Sequence, residues 1–518
     1  MRYASIAILF ILAGCQMAQV PTPMDGQAFF AAGPYSASQR FESAKRSTPE
    51  LIAFLRRMPK GADLHNHLGG ATYADFLIDS ARHNGKRFSL EQNHFTDANG
   101  EGTVSFAEFI TNQELIARFR NALSVRGWLA EGGSSHDHFF QSFRHIGTAG
   151  RTTPEMLAEI LARNHYQNIQ YLELMANAAP SHVIGRFAAA YAGLHLDDLE
   201  RSYAPFTALT DDPDVLQSFR DVIDEWEVGA AAILEQQHGL TFEQAPTVRY
   251  IPQLNRAGTL DRFFIGAVLF MTATRADERI IALNMVAPED LPLARRQFDA
   301  QMRILDFLWQ KLGRPNMTLH AGELSLRESP VEPMLNRIRR SIDEGHASRI
   351  GHGVSIAWEL DLVGLLEQMS DTGVMVEIIP SSSEVILGIA GDDHPLRLYE
   401  AAAVPLCIAT DDEAVNRSNL TMEYVKIVQR YDLTYADLKR LVRNCLEYSF
   451  LDGEGLYVDG DYSKPIALAE DVTEADWQPS DKLAARQSAD PKLAQQISLE
   501  RAWVEFETSL SNGFREAR

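Results

Sequence analysis

Eight short apolar segments, most of them separated by helical stretches, constrain this chain more than any other feature: residues 60–68, 169–175, 247–254, 280–286, 316–320, 349–354, 374–379 and 405–410. Strands that alternate with helices pair in parallel, because a parallel neighbour needs a crossover long enough to hold a helix. Eight such units predict an α/β fold of the (β/α)8 TIM-barrel class more readily than an open sheet, with the chemistry at the carboxyl ends of the strands. A chain of 518 residues accommodates such a barrel with additions.

The strand ends carry the residues that chemistry needs. His65 and His67 close the first segment, and residues two apart on a strand share a face, so both rings can reach one metal ion. The fifth segment ends Thr318-Leu319-His320-Ala321-Gly322-Glu323, the sixth contains Ile350-Gly351-His352-Gly353, and the eighth ends Ala409-Thr410-Asp411-Asp412. Singly, such a histidine is an ordinary core residue and such aspartates cap a helix. Together, at four strand ends, they predict one site over the barrel mouth. His136-Asp137-His138 has the same spacing but follows Gly132-Gly133-Ser134-Ser135, which reads as a loop, either solvated or facing substrate as part of a cap.

The chain's ends read differently. Met1-Arg2, an apolar run over 3–12 and Leu12-Ala13-Gly14-Cys15 have the layout of a leader over residues 1–14. The tetrapeptide resembles the lipobox of bacterial lipoproteins, which implies lipid on Cys15; a secretory signal with an incidental cysteine is the plainer alternative. Gln16, not Asp, follows, so the same resemblance places the chain in the bacterial envelope, at the outer membrane or in the periplasm. Residues 15–40, rich in Ala, Gly, Pro and Gln, suit a tether, and Leu51, Phe54, Leu55 and Met58 predict one helix over 41–58 that Pro59 ends. No later segment approaches about 20 uninterrupted apolar residues, so lipid is the only membrane attachment expected.

The formal charge of −22, from 48 basic and 70 acidic residues, repels phosphate backbones and argues against a nucleic-acid polymer as partner. Cys407 and Cys445 fall in an apolar strand and a helical run, as buried thiols or as a disulfide that an oxidising compartment would permit. Beyond a main unit over 41–450, the extension 451–518 has a polar, acidic stretch and then helical periodicity over 493–510, with Trp503 and Phe506 on the apolar side.

The ordered set Met58-Pro59-Lys60 before His65 and His67, His320-Ala321-Gly322-Glu323, Gly351-His352-Gly353, Thr410-Asp411-Asp412 and Leu420-Thr421-Met422-Glu423-Tyr424 resembles the adenosine deaminase family of metal-dependent hydrolases. The N-terminal helix and an inserted cap over about 85–168, including 118–143, are closest in layout to the secreted, growth-factor-related members. The resemblance implies one Zn2+ held by His65, His67, His320 and Asp411, with a position left for water. It implies that Glu323 protonates N1 of a purine, that His352 takes the water's proton or stabilises the resulting hydroxide electrostatically, and that Asp412 hydrogen-bonds the water or the purine N7. The reaction implied is hydrolytic deamination at C6 of adenosine or a related purine nucleoside, releasing ammonia. A non-catalytic zinc barrel that binds a nucleoside or a protein, or a hydrolase of another C–N bond, are the alternatives. A homodimer through N-terminal helices such as 41–58 is also in keeping with the resemblance.

Departures from the family pattern bear on substrate. Gly69-Gly70 stands where the family has Asp-Gly, so Gly69 replaces a residue that contacts the ribose, and Ala287 replaces a glycine that approaches the purine. The stretch 379–383 reads Ile-Pro-Ser-Ser-Ser, and Glu413 follows the paired aspartates where a proline is usual.

Overall fold

The computed structural model describes residues 35–128 and 132–511. The leader, Cys15 and most of the tether therefore lie outside the described residues.

Eight parallel strands run in chain order around the molecule. They are β1 (Gly61–His67), β2 (Ile169–Met175), β3 (Thr247–Ile251, resuming as Gln253–Asn255), β4 (Ala282–Val286), β5 (Asn316–Ala321), β6 (Arg349–His352), β7 (Met375–Ile378) and β8 (Leu406–Ile408). Pro252 divides β3 because it has no N–H for the ladder. Across the break, the Asn284 N–H donates to the Pro252 carbonyl, keeping β3 beside β4. The last segment meets the first where the His67 N–H donates to Asp411 O (3.0 Å) and the Asp411 N–H donates to His65 O (2.7 Å). β1, β6, β7 and β8 are buried along their whole length, as strands covered on both faces must be.

A buried ion network threads the interior. Arg349 on β6 pairs with Glu173 on β2, and its Nε donates to Glu377 Oε1 on β7 (2.8 Å). Its guanidinium lies over the Phe450 ring, 3.8 Å from the centroid, so the charge is both paired and stacked.

The predicted helix over 41–58 is two helices, Ala37–Ala44 and Thr48–Arg57. Ser47 causes the break: it adopts extended dihedrals and its side chain accepts the Glu50 N–H, with Pro49 in the first turn, which is how a helix starts. Phe41 and Phe54 meet at 5.5 Å between ring centroids. Phe54 also meets Phe506 of the C-terminal helix Pro491–Ser511 at 5.3 Å. Trp503 on that helix is buried, so the extension is bound to the barrel through the N-terminal helices and the helix Tyr435–Glu447.

The segment between β1 and β2 holds a second hydrophobic core, built on Leu77, Phe88, Phe95, Phe109, Phe119 and Phe139 and joined to the barrel side through Val354, Ile386 and Val415. It contains a three-stranded antiparallel sheet, Arg87–Ser89, His94–Thr96 and Thr103–Val104, that the strand pattern of the sequence did not reveal. Strands of two or three residues are too short to display a period of two. Cys407 and Cys445 are buried free thiols. Among the described residues, no helix is long and apolar enough to cross a membrane.

Candidate metal centre

His65 and His67 point from the end of β1 to one place. Their Nε2 atoms are 3.3 Å apart, and His65 Nε2 is 3.2 Å from His320 Nε2 at the end of β5. Asp411 Oδ1 joins them at 3.5 Å from His65 Nε2 and 3.0 Å from His67 Nε2. His65, His320, His352 and Asp411 offer donor atoms all within 4.8 Å of one another, and His67, Asp411 and Asp412 form an overlapping set. Ring nitrogens this close to one another share either a proton or a metal ion, because bare lone pairs repel. A metal ion fits this donor set.

Each imidazole is fixed by its other nitrogen. His65 Nδ1 lies 2.6 Å from Glu377 Oε2, His67 Nδ1 lies 2.7 Å from Gln253 Oε1, and His320 Nδ1 lies 3.0 Å from Asn284 Oδ1. Accepting oxygens on the Nδ1 side favour the tautomer that turns an Nε2 lone pair inward. Asp411 is oriented by Ser382, whose Oγ donates to Oδ2 (2.7 Å), and Asn416 donates in turn to Ser382. Burial pulls the His65 imidazolium down, but hydrogen bonds to Asp411 and Glu377 outweigh it and raise the group to about 10. Burial also pushes Glu377 up, and Arg349 followed by His65 brings it down to about 2. The surroundings are thus built to hold positive charge where the rings meet.

Backbone strain marks the same place. His352 (φ 70°) and Asp411 (φ 61°) are both non-glycine residues in the left-handed region, a conformation that costs about 1–3 kcal/mol and that the surrounding packing must enforce. His352 is fully buried, and burial holds its imidazolium down at about 3. Glu323 is also buried; burial first, then Asp411 and Glu289, push its carboxyl well above the usual range. Burial and the neighbouring Asp411 do the same to Asp412. Gly70 makes room for Asp412: a methyl group at Gly70 would lie 1.6 Å from Asp412 Oδ1.

A cavity of about 610 Å³ opens over this cluster. His67, His320, Glu323, Asp411, Asp412 and Ala287 line its floor and one side. Gly69 is not among its lining residues, so of the three positions expected to face substrate the structure brings Ala287 and Asp412 to the cavity and leaves Gly69 outside it. A larger cleft of about 690 Å³ lies at the amino ends of β2 and β3, beside Arg57, His165 and Gln495. Among the described residues neither candidate metal cluster lies in that cleft, so the smaller cavity is the one beside the donor set.

The loop expected at His136-Asp137-His138 is the first turn of a helix, Ser135–Ile146. Gly132 and Gly133 carry positive φ, and Ser134 then caps the helix by accepting the Asp137 N–H, so the glycines mark its approach. His136 lines the cavity along with Phe139, Phe140 and Phe143, and its Nε2 lies 3.1 Å from Asp290 Oδ1. His138 instead reaches the carbonyls of Asn121 and Ser124 inside the insertion. Sequence reasoning missed Gln253, Glu377 and Ser382. The available signal was a charged or polar residue at a buried strand or at its end.

The family model described as adenosine deaminase matches residues 243–456. The chain is 31% identical over 140 residues to the adenine deaminase of Rhizobium leguminosarum bv. trifolii, covering 27% of this chain and 40% of that one. It is 29% identical over 182 residues to the adenosine deaminase of Haemophilus ducreyi, covering 35% and 48%. The chain thus spans less than half the length of these curated relatives. The apo structure of the N6-methyl-AMP deaminase from Arabidopsis thaliana shares the fold, with a TM-score of 0.50 and 18% identity over 78% of this chain and 95% of that one. The stretch that matches the adenosine deaminase family model holds His320, Glu323, His352, Asp411 and Asp412, so this part of the chain, with most of the donor cluster, is similar to that family.

Proposed function

We propose that the protein is a zinc-dependent hydrolytic deaminase acting at C6 of adenosine or a closely related purine, with ammonia as the second product. The observation that carries the reading is a buried carboxyl, Glu323, facing the same cavity as the converging rings of His67 and His320 and the Asp411 carboxylate. Donors about 2.0–2.1 Å from a tetrahedral zinc ion lie about 3.3 Å from one another. The spacings of 3.0–3.5 Å from His65 to His67, His320 and Asp411, and from His67 to Asp411, agree with that.

Zinc held there supplies a water whose pKa is lowered toward neutrality. Glu323, whose protonated form burial favours, donates its proton to the ring nitrogen beside C6 and makes that carbon electrophilic. His352, kept neutral, has a free ring nitrogen to receive a proton. Asp412 Oδ1 has no partner among the described residues and is free to hold the attacking water or the purine. The water's oxygen bonds to C6, one of its protons passes by way of His352 to the amino group and the other returns to Glu323, and the C6–N bond breaks as ammonia leaves.

The relatives are named for adenine, adenosine and N6-methyl-AMP, so all three enter the test. The leader and Cys15 support a lipid-anchored protein of the bacterial envelope, and a homodimer belongs to the same reading through the family resemblance alone. The test is ammonia release by the zinc-loaded mature chain across adenosine, deoxyadenosine, adenine and N6-methyl-AMP. Release from none of them, with one zinc bound, overturns the reading. Loss of palmitate labelling in Cys15→Ser checks the anchor.

A further inference from the structure

Behind Glu323 lies a buried cluster that the mechanism above does not use. The Glu323 N–H donates to Glu289 Oε1 at 2.9 Å. The other oxygen, Glu289 Oε2, sits between two guanidiniums, 3.3 Å from Arg256 Nη1 and 3.3 Å from Arg337 Nε. Glu289, Arg256 and Arg337 are all buried. Arg337 is further fixed by the Phe298 ring, 3.9 Å from its guanidinium carbon.

Arg256 reaches further. Its Nη2 donates to the carbonyls of Met285 and His320, 2.7 Å each, and the Arg256 carbonyl accepts from Gln301 Nε2 (2.8 Å). One guanidinium therefore spans the ends of β4 and β5 and the carboxylate that holds the Glu323 backbone. This bond ties down the Glu323 backbone where little else does: Gly322 before it is in the left-handed region (φ 78°), and Glu323 Oε1 has no hydrogen-bond partner among the described residues. A carboxyl that must meet a ring nitrogen has to be set by its backbone.

We propose that Glu289 and Arg256 are positioning residues for Glu323, Glu289 by holding its N–H and Arg256 by locking Glu289 to the β4 and β5 ends. The inference rests on the reading of Glu323 as proton donor. It predicts a defect in the chemical step and not in substrate or metal binding, because misplacing a reacting group by about 1 Å costs about 100-fold in rate.

The test uses the zinc-loaded mature chain with Glu289→Gln and Glu289→Ala. The substrate is whichever purine the wild type turns over. For both variants we expect kcat to fall, by about 100-fold for Ala, with KM within about threefold. Zinc should stay at one per chain, and the visible spectrum of the cobalt-substituted protein should not change. If Glu289→Ala does not fold, Glu289→Gln carries the test. A kcat within about twofold of wild type in a folded variant overturns the proposal. So does parallel loss of metal or a changed cobalt spectrum, which would assign the pair to the metal. If the wild type deaminates nothing, the functional reading fails on its own. The crystal structure of zinc-loaded Glu289→Gln then decides the positioning role, by whether the Glu323 carboxyl moves.

Discussion

His352 Nδ1 lies 3.6 Å from Glu323 Oε1, and neither atom has a hydrogen-bond partner among the described residues. Burial has opposite effects on the two groups, since it disfavours whichever form carries charge. The imidazolium is held down at about 3 and the carboxyl is raised well above its usual range. Burial thus favours the protonated carboxyl of Glu323 and the neutral imidazole of His352, which stand side by side.

For His352 the consequence is a pH-dependent stability. The unfolded imidazole takes up a proton near 6.5 and the folded one only near 3, so in between the unfolded state binds more protons. Stability of the metal-free protein should fall as pH drops from 6.5 toward 3, and His352→Asn should flatten that fall. Urea midpoints measured across this range check it; equal slopes in the two proteins would discard the buried imidazole as the cause.

Glu323→Gln should lower ammonia release by about 10²–10⁴-fold, the usual worth of a positioned general acid, and leave zinc content unchanged. Wild-type activity should decline as pH rises through the raised pKa of Glu323. Steady-state rates with metal analysis are the measurement, and metal lost with activity would give Glu323 a ligand's role.

Gly70→Ala tests the packing of Asp412. The added methyl would lie 1.6 Å from Asp412 Oδ1 and must displace it. We expect a loss of about 100-fold in kcat/KM in a protein that still folds and still binds metal. Wild-type turnover would show that Asp412 need not stand where it does.

Removal of metal should lower the Tm, and added zinc should restore it. Binding to the folded state alone stabilises by about 4 kcal/mol when free ligand is 1,000 times its Kd. Calorimetry with and without chelator reads the shift, and an unchanged Tm would mean that the cluster does not hold the ion.

The barrel and the cluster were legible because both are written locally. A histidine or aspartate at a strand's end needs only its own neighbours to be noticed, and His65, His320, His352 and Asp411 each stand at one. The partners of these residues were not legible in the same way. Glu377 matters to His65 only because β7 and β1 face each other across the barrel interior, a proximity with no trace in spacing. His136 failed differently. Gly132 and Gly133 correctly signalled irregular backbone, yet Ser134 starts a helix immediately after them, and a cap is a one-residue signal that two glycines outweigh. The inserted antiparallel sheet is built of strands too short to carry a pattern at all.

The hydrogen bonds between Asp411 and the His65–His67 backbone give the site a place in time as well as in space. The two histidines leave the ribosome long before Asp411 does, and until the last strand arrives they are two rings on an open edge. The donor set is therefore complete only when the final seam of the fold closes, and a nascent or truncated chain that ends short of Asp411 lacks its carboxylate donor.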